Sequence, residues 1–142
     1  MPIAPRPEQL AAFAQRAPAD GPLLMLNLLK YREKAAYADG RETKLTGREA
    51  YALYGQGVTK LLAAMGGRIA FGGRCNTLLI GDGDLAWDDV AVVEYPSLDA
   101  FRRMTGSAEY AAIHVHREAG LAHQLLIHCA APGPSSVFDA PA

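Results

Sequence analysis

Every histidine of the chain falls in one stretch, HVHREAGLAHQLLIH, from His114 to His128. Imidazoles that close together raise the question of a metal centre. On a strand, His114 and His116 would point the same way and could chelate one ion. The surrounding pattern reads as helix, where positions two apart diverge by ~200°. His123 lies beyond Gly120, where that helix must stop, and His128 belongs to the strand that follows. The HExxH spacing that puts two ligands on one helical face is absent. The expectation is no metal and no other cofactor, with the histidines as surface, cap or proton-transfer groups.

A better constellation lies on the same helix. Tyr110, Ile113, His114, Arg117 and Leu121 share one side, and Ala108, Ala112, Val115 and Ala119 share the other. If the larger side meets a sheet, a phenol, an imidazole and a guanidinium point inward among apolar groups. If the alanines pack inward, those polar groups are solvated; the helical period admits both. Asn27 interrupts an apolar strand, where a buried amide must find partners, as a clasp to backbone or as a ligand contact. Tyr54 sits on the inner stripe of an earlier helix, its ring in the core and its hydroxyl needing a partner. Trp87 either lines a pocket mouth or staples a hairpin. Glu94, beside Tyr95 on a strand, either pairs with Arg117 or, left unpaired, is a base of raised pKa. The catalytic candidates are His114, Arg117, Tyr54 and Glu94; the substrate-binding candidates are Asn27, Trp87 and Tyr110.

These side chains need elements to position them. PRPEQLAAFAQRA reads as a short helix, with Pro7 in its first turn and Pro18 beyond its end. LLMLNLLKY, residues 23–31, reads as a strand that is apolar at both parities and so covered on both sides. Residues 32–46 are polar with a DG turn signal and form a small hairpin, a lid over a pocket, or a mobile connection. Thr46 and Glu49 make a capping box for a helix whose inner stripe is Tyr51, Tyr54, Val58, Leu61, Leu62 and Met65, ended by Gly66-Gly67. Gly55 and Gly57 inside it each cost about 1 kcal/mol against alanine, which implies close approach by a neighbouring backbone or a ligand. RIAFGGRCNTLLIG is a second strand with a bulge at Gly72-Gly73, and DVAVVEY is a third. Ser97 caps a helix that Gly106 interrupts and Ser107 restarts, and HQLLIHCA is the last strand.

The order is a leading helix followed by βαββαβ. That is the ferredoxin-like α+β arrangement, a four-stranded antiparallel sheet with both crossover helices on one face. Two helices cover one side only, yet the first and third strands are apolar on both. An apolar outer face would be a large exposed patch, and a second copy is its simplest cover. A face-to-face homodimer is expected.

Bulk composition narrows the function classes. A chain of 142 residues suits one domain, here 1–130, with a Pro/Ser-rich tail over 131–142. Net charge is −1 and the basic residues are scattered, which argues against a nucleic-acid or anionic-membrane partner. The apolar run Leu23 to Leu29 is too short to span a bilayer, and MPIAPRPEQLAAF has no signal-peptide pattern. Cys75 and Cys129 form no CxxC and read as reduced thiols of a cytoplasmic protein. GDGDLAWDD misses the calcium-loop pattern, YGQGVTK is no phosphate loop, and no GxSxG occurs.

LLMLNLLKYRE, GREAYALYG, GGR, WDDVAVVEYPSLDAFRRM and SAEYAAIHVHREAGL together resemble the domain of unknown function 1330 family, of the dimeric α+β barrel superfamily. The likeness runs over roughly residues 22–129 and leaves out the leading helix and the tail. It implies a ferredoxin-like protomer and a face-to-face dimer; it implies no particular activity. Two functional readings follow. One is a small cofactor-independent enzyme for an aromatic or carbonyl-bearing substrate, with Arg117 and Asn27 fixing an oxyanion and His114, Tyr54 or Glu94 moving a proton. The other is a non-catalytic dimeric module that binds a metabolite or a protein. A void touching Asn27, Tyr54 and Arg117 discriminates between them.

Overall fold

Alternation along the first strand decides where every other element packs. The structure, a computed structural model, describes residues 2–131 and 136–138. Strand β1 (Leu23–Tyr31) buries Leu23, Met25, Asn27 and Leu29 and leaves Leu24, Leu26 and Leu28 half-buried on the other side. It pairs antiparallel with β3 (Asp89–Tyr95) on one flank and β4 (Leu121–Cys129) on the other. β2 (Arg68–Arg74) extends the sheet beyond β3, giving the order β2-β3-β1-β4. Helices α2 (Gly47–Met65), α3 (Leu98–Thr105) and α4 (Ala108–Gly120) complete the ferredoxin-like α+β fold, preceded by α1 (Pro7–Arg16).

The core forms where the odd positions of β1 meet the helices. Leu23, Met25, Val93 and Tyr95 of the sheet pack on Tyr54, Val58 and Leu62 of α2 and on Leu98 and Met104. Each such burial contributes roughly 1.5–3 kcal/mol. The helix boundaries follow from local chemistry. The Thr46 hydroxyl accepts from the Glu49 amide at 3.1 Å, while the Glu49 carboxylate accepts from the Thr46 amide at 2.9 Å. Ser97 and Ser107 cap α3 and α4 one-sidedly, their hydroxyls accepting from the Ala100 and Tyr110 amides. α1 buries none of its own residues. It packs on the core through Phe13, edge-on to Phe101 and His128, and Ala17 just beyond its end packs there too.

On the opposite face of the sheet the register aligns Leu24, Leu26 and Leu28 with Val90, Val92, Leu125 and Ile127. Leu125 and Ile127 are exposed there, as is Phe71 of β2. This apolar outer layer agrees with the double-sided pattern of the first strand.

Residues 32–46 form no regular hairpin, and none of them lines the cavity described below. One bridge joins Lys34 to Thr46, the Ala36 amide donates to the Ala119 carbonyl at 3.0 Å, and Ala35 and Tyr37 are buried against Ala50 and Ala119. The segment is clamped to the end of α4. Beneath it, α2 and α4 meet backbone to backbone. A Cβ on Gly47 would lie 2.1 Å from the Arg32 carbonyl oxygen, and one on Gly120 would lie 2.4 Å from the Gly47 carbonyl oxygen.

The second strand departs from expectation twice. Its irregularity falls between Ile69 and Phe71, while Gly72 and Gly73 pair regularly with Ala91 and Val90. It also ends at Arg74, opposite Asp89 where β3 begins; beyond them only the Cys75 amide continues, donating to the Asp88 carbonyl at 2.9 Å. CNTLLI is therefore loop, with Leu79 and Ile80 almost fully exposed. The tail expected over 131–142 lies mostly outside the described residues.

Candidate functional site

The larger side of α4 is the one that faces the sheet. Tyr110, His114 and Arg117 line a cavity of about 570 Å³ between α2, α4 and the odd face of β1, a size ordinary for small-molecule sites. Asn27 and Tyr54 also line it, so the void touches all three residues chosen to discriminate the two functional readings. The walls are otherwise largely apolar, including Met25, Leu62, Val93 and Leu126.

Two polar systems meet in this cavity. In the first, the Gln124 side-chain amide donates to Asn27 Oδ1 at 2.8 Å, and Arg117 donates to Gln124 Oε1. Arg117 also donates to the backbone carbonyl of Ile3, and so ties down the segment Ile3–Pro5 that walls the cavity. Asn27 Nδ2 reaches the carbonyls of Met25 and Ala91 only at 3.4 Å, the long end of the range, so its donors are poorly used. In the second system, the Tyr54 and Tyr110 hydroxyls lie 3.0 Å apart, and the Tyr110 ring lies against His114 with centroids 5.5 Å apart. Burial, then the neighbouring Tyr110 and Tyr51, push the Tyr54 pKa well above the ordinary phenol value. Tyr51 is raised too, chiefly by burial, although Arg117 pulls against it. These phenols stay protonated at neutral pH and serve as hydrogen-bond donors.

His114 has a partner of its own. Its Nδ1 lies 2.8 Å from Glu118 Oε1, one helical turn on. An ionised carboxylate only accepts, so Nδ1 carries the proton and a neutral His114 keeps Nε2 as the basic nitrogen. The four histidines separate into four environments. His116 Nδ1 bonds the Tyr37 hydroxyl at 2.6 Å, His128 stacks edge-on to Phe13, and His123 is half-buried with Nδ1 unpartnered. Among the described residues no three of His, Cys, Asp and Glu gather as metal ligands.

Five of the seven candidates thus converge: Asn27, Tyr54, Tyr110, His114 and Arg117. Glu94 does not. It lies opposite Leu24, on the outer face of the sheet, and pairs with Arg68 at 3.0 Å instead of with Arg117. Strand parity dictates this, since Val93 and Tyr95 take the inner face. Trp87 is half-buried in the loop before β3 and is not among the cavity walls. Sequence reasoning missed Gln124, Glu118 and Ile3–Pro5. Glu118 was readable as the i+4 partner of His114, and Gln124 as the polar break in the last strand. Nothing local signals that Ile3–Pro5 returns to the cavity.

The two glycines of α2 also differ. A Cβ on Gly57 would lie 2.6 Å from Ile113 Cγ2, so close helix packing explains that position. Gly55 lines the cavity, and a Cβ there would meet nothing within 4 Å.

No curated protein matches the chain. Two crystal structures of the RPA0582 protein of unknown function from Rhodopseudomonas palustris are similar to it. The methylated form shares 38% identity over 95% of this chain and 98% of that one, with a TM-score of 0.83. The other shares 36% over 93% and 98%, with a TM-score of 0.80. A candidate antibiotic biosynthesis monooxygenase from Caulobacter crescentus, 15% identical over 81% of this chain and 93% of that one, has a TM-score of 0.57 and shows likeness of fold alone. The family model described as Domain of unknown function (DUF1330) matches residues 32–129, the span that holds α2, β3, α4 and β4 with four of the five converging side chains. The chain belongs to the DUF1330 family, on a ferredoxin-like α+β fold.

Proposed function

We propose that each subunit binds a small organic molecule, aromatic or carbonyl-bearing, in the 570 Å³ cavity and moves a proton on it without a cofactor. The observation that carries this reading is the convergence of Asn27, Tyr54, Tyr110, His114 and Arg117 on one largely apolar void. In this mechanism Arg117 and the underused Asn27 amide hold a substrate oxygen as negative charge develops on it. Tyr54 and Tyr110 supply phenol donors to the same region. His114 transfers the proton through Nε2, with Glu118 holding its tautomer and stabilising the imidazolium.

A binding module without turnover is the second reading, favoured by the way Asn27, Gln124 and Arg117 already satisfy one another. A thermal-shift screen of phenols, aromatic ketones and keto acids, followed by proton-exchange assays on the hits, separates the two. Ligand-specific stabilisation with solvent deuterium entering the ligand, slowed about 10²-fold or more in His114→Ala, supports catalysis. Stabilisation without exchange supports the module.

We also propose that the working unit is a homodimer joined through the outer sheet face. Leu24, Leu26, Leu28, Val90 and Val92 form an apolar layer there that a second copy would cover. Sedimentation should give one species of twice the chain mass, and Leu26→Glu should give monomer. A cytoplasmic location is proposed on the two free cysteines; no helix among the described residues is long and apolar enough to cross a membrane.

A further inference from the structure

The charge on the cavity walls points to a narrower ligand class. We propose that the ligand is a small apolar or aromatic carboxylate, and that its carboxylate displaces the Ile3 carbonyl from Arg117. The inference rests on the cavity being a ligand site. Among the described residues no Asp, Glu or Lys lines it, and Arg117 is the one guanidinium or ammonium in the wall. Among the described residues Arg117 forms no ion pair, and its acceptors are two neutral oxygens, the Gln124 amide and the Ile3 carbonyl. A half-buried guanidinium facing an apolar void without a counter-ion is an unfavourable arrangement that an anion relieves. His114, the other basic wall residue among those described, already has its carboxylate in Glu118.

The geometry of the N-terminal segment fits the displacement. Ile3, Ala4 and Pro5 form part of the wall, and Arg117 holds them by a single backbone carbonyl. The helix that follows buries no residue of its own, so little else fixes this end of the chain. A carboxylate offers two charged oxygens to the guanidinium fork where the carbonyl offers one neutral oxygen, and such charge-assisted pairs are roughly twice as strong as neutral ones. Binding therefore exchanges an internal contact for a stronger external one and frees residues 2–6.

Isothermal titration of the full chain with benzoate, phenylacetate and hexanoate, beside benzamide, phenylacetamide and hexanamide, tests this. The acids should bind and the amides should bind at least tenfold more weakly. Arg117→Gln should weaken the acids by about thirtyfold or more and the amides by at least tenfold less than that. Arg117→Lys, which keeps the charge and loses the fork, should retain a preference for acids at reduced affinity. Hydrogen exchange at Ile3, Ala4 and Arg6 should quicken with an acid and not with an amide. Amides or neutral ketones binding as well as the acids would overturn the anion inference and leave the cavity reading standing. Acid binding that is indifferent to Arg117→Gln, or that leaves exchange at residues 3–6 unchanged, would overturn it too. If no acid, amide, phenol or ketone binds, the cavity reading itself fails.

Discussion

The same two helices meet in opposite ways along their length. Where α2 begins and α4 ends, Gly47 and Gly120 bring the backbones into contact, and residues 32–46 seal the junction. Two turns along α2 the pair opens over a void lined by Tyr54, Gly55, Tyr110 and Arg117. One end is solid because glycine removes side chains that would hold the helices apart. The other is hollow because its side chains reach toward one another by hydrogen bonds and leave the space between unfilled. Glycine is used for fit at one end and for room at the other.

Substitutions can break or sharpen that contrast. The largest effect is expected at the sealed end. Gly47→Ala or Gly120→Ala forces a Cβ against main-chain atoms that cannot rotate away, and should cost about 3 kcal/mol or more in urea unfolding. Gly57→Ala meets only the Ile113 side chain and should cost about 1–2 kcal/mol, and much less in an Ile113→Ala background; a double-mutant cycle measures the coupling. Tyr54→Phe removes the bond to Tyr110, for about 1 kcal/mol. It also carries a pH signature. The folded pKa of Tyr54 is raised and the unfolded phenol titrates near 10, so its contribution is whole below about pH 10 and is lost as pH rises beyond. Tyr54→Phe should lower the neutral plateau by that amount and flatten the alkaline loss of stability. The smallest effect has the opposite sign. Gly55→Ala should stabilise by about 1 kcal/mol, a few degrees in Tm, while filling space a ligand would use. If Gly55→Ala destabilised as much as Gly57→Ala, the distinction between fit and room would be lost.

Most of the framework was legible because it rests on local rules. The Thr46–Glu49 box, the Gly66 stop, the Ser107 restart and the double-sided strand each follow from chemistry within a few residues. The helical period collected Tyr110, His114 and Arg117 on one side, but it could not say which side faces the sheet. That choice is made by Gly47 and Gly120, whose contact spans distant parts of the chain. Charge alone offers Glu94 either as a partner for Arg117 or as an unpaired base, whereas strand parity sends it outward to Arg68. The bulge was assigned to the Gly pair at 72–73 by residue type, whereas pairing with β3 puts it one step after Ile69. Ile3 reaches Arg117 across more than a hundred positions, and no local pattern encodes such a return.

The position of β1 at the centre of the sheet, flanked by β3 and by the last strand, has a bearing on biosynthesis. The strand on its second edge emerges from the ribosome about a hundred residues after it, a wait on the order of ten seconds at ordinary translation rates. Throughout that wait a leucine-rich segment has an open hydrogen-bonding edge and is a natural client for a holdase chaperone. Such long-range closure also favours slow folding, so synonymous codons that lengthen the pause before Leu121 should lower the yield of native protein.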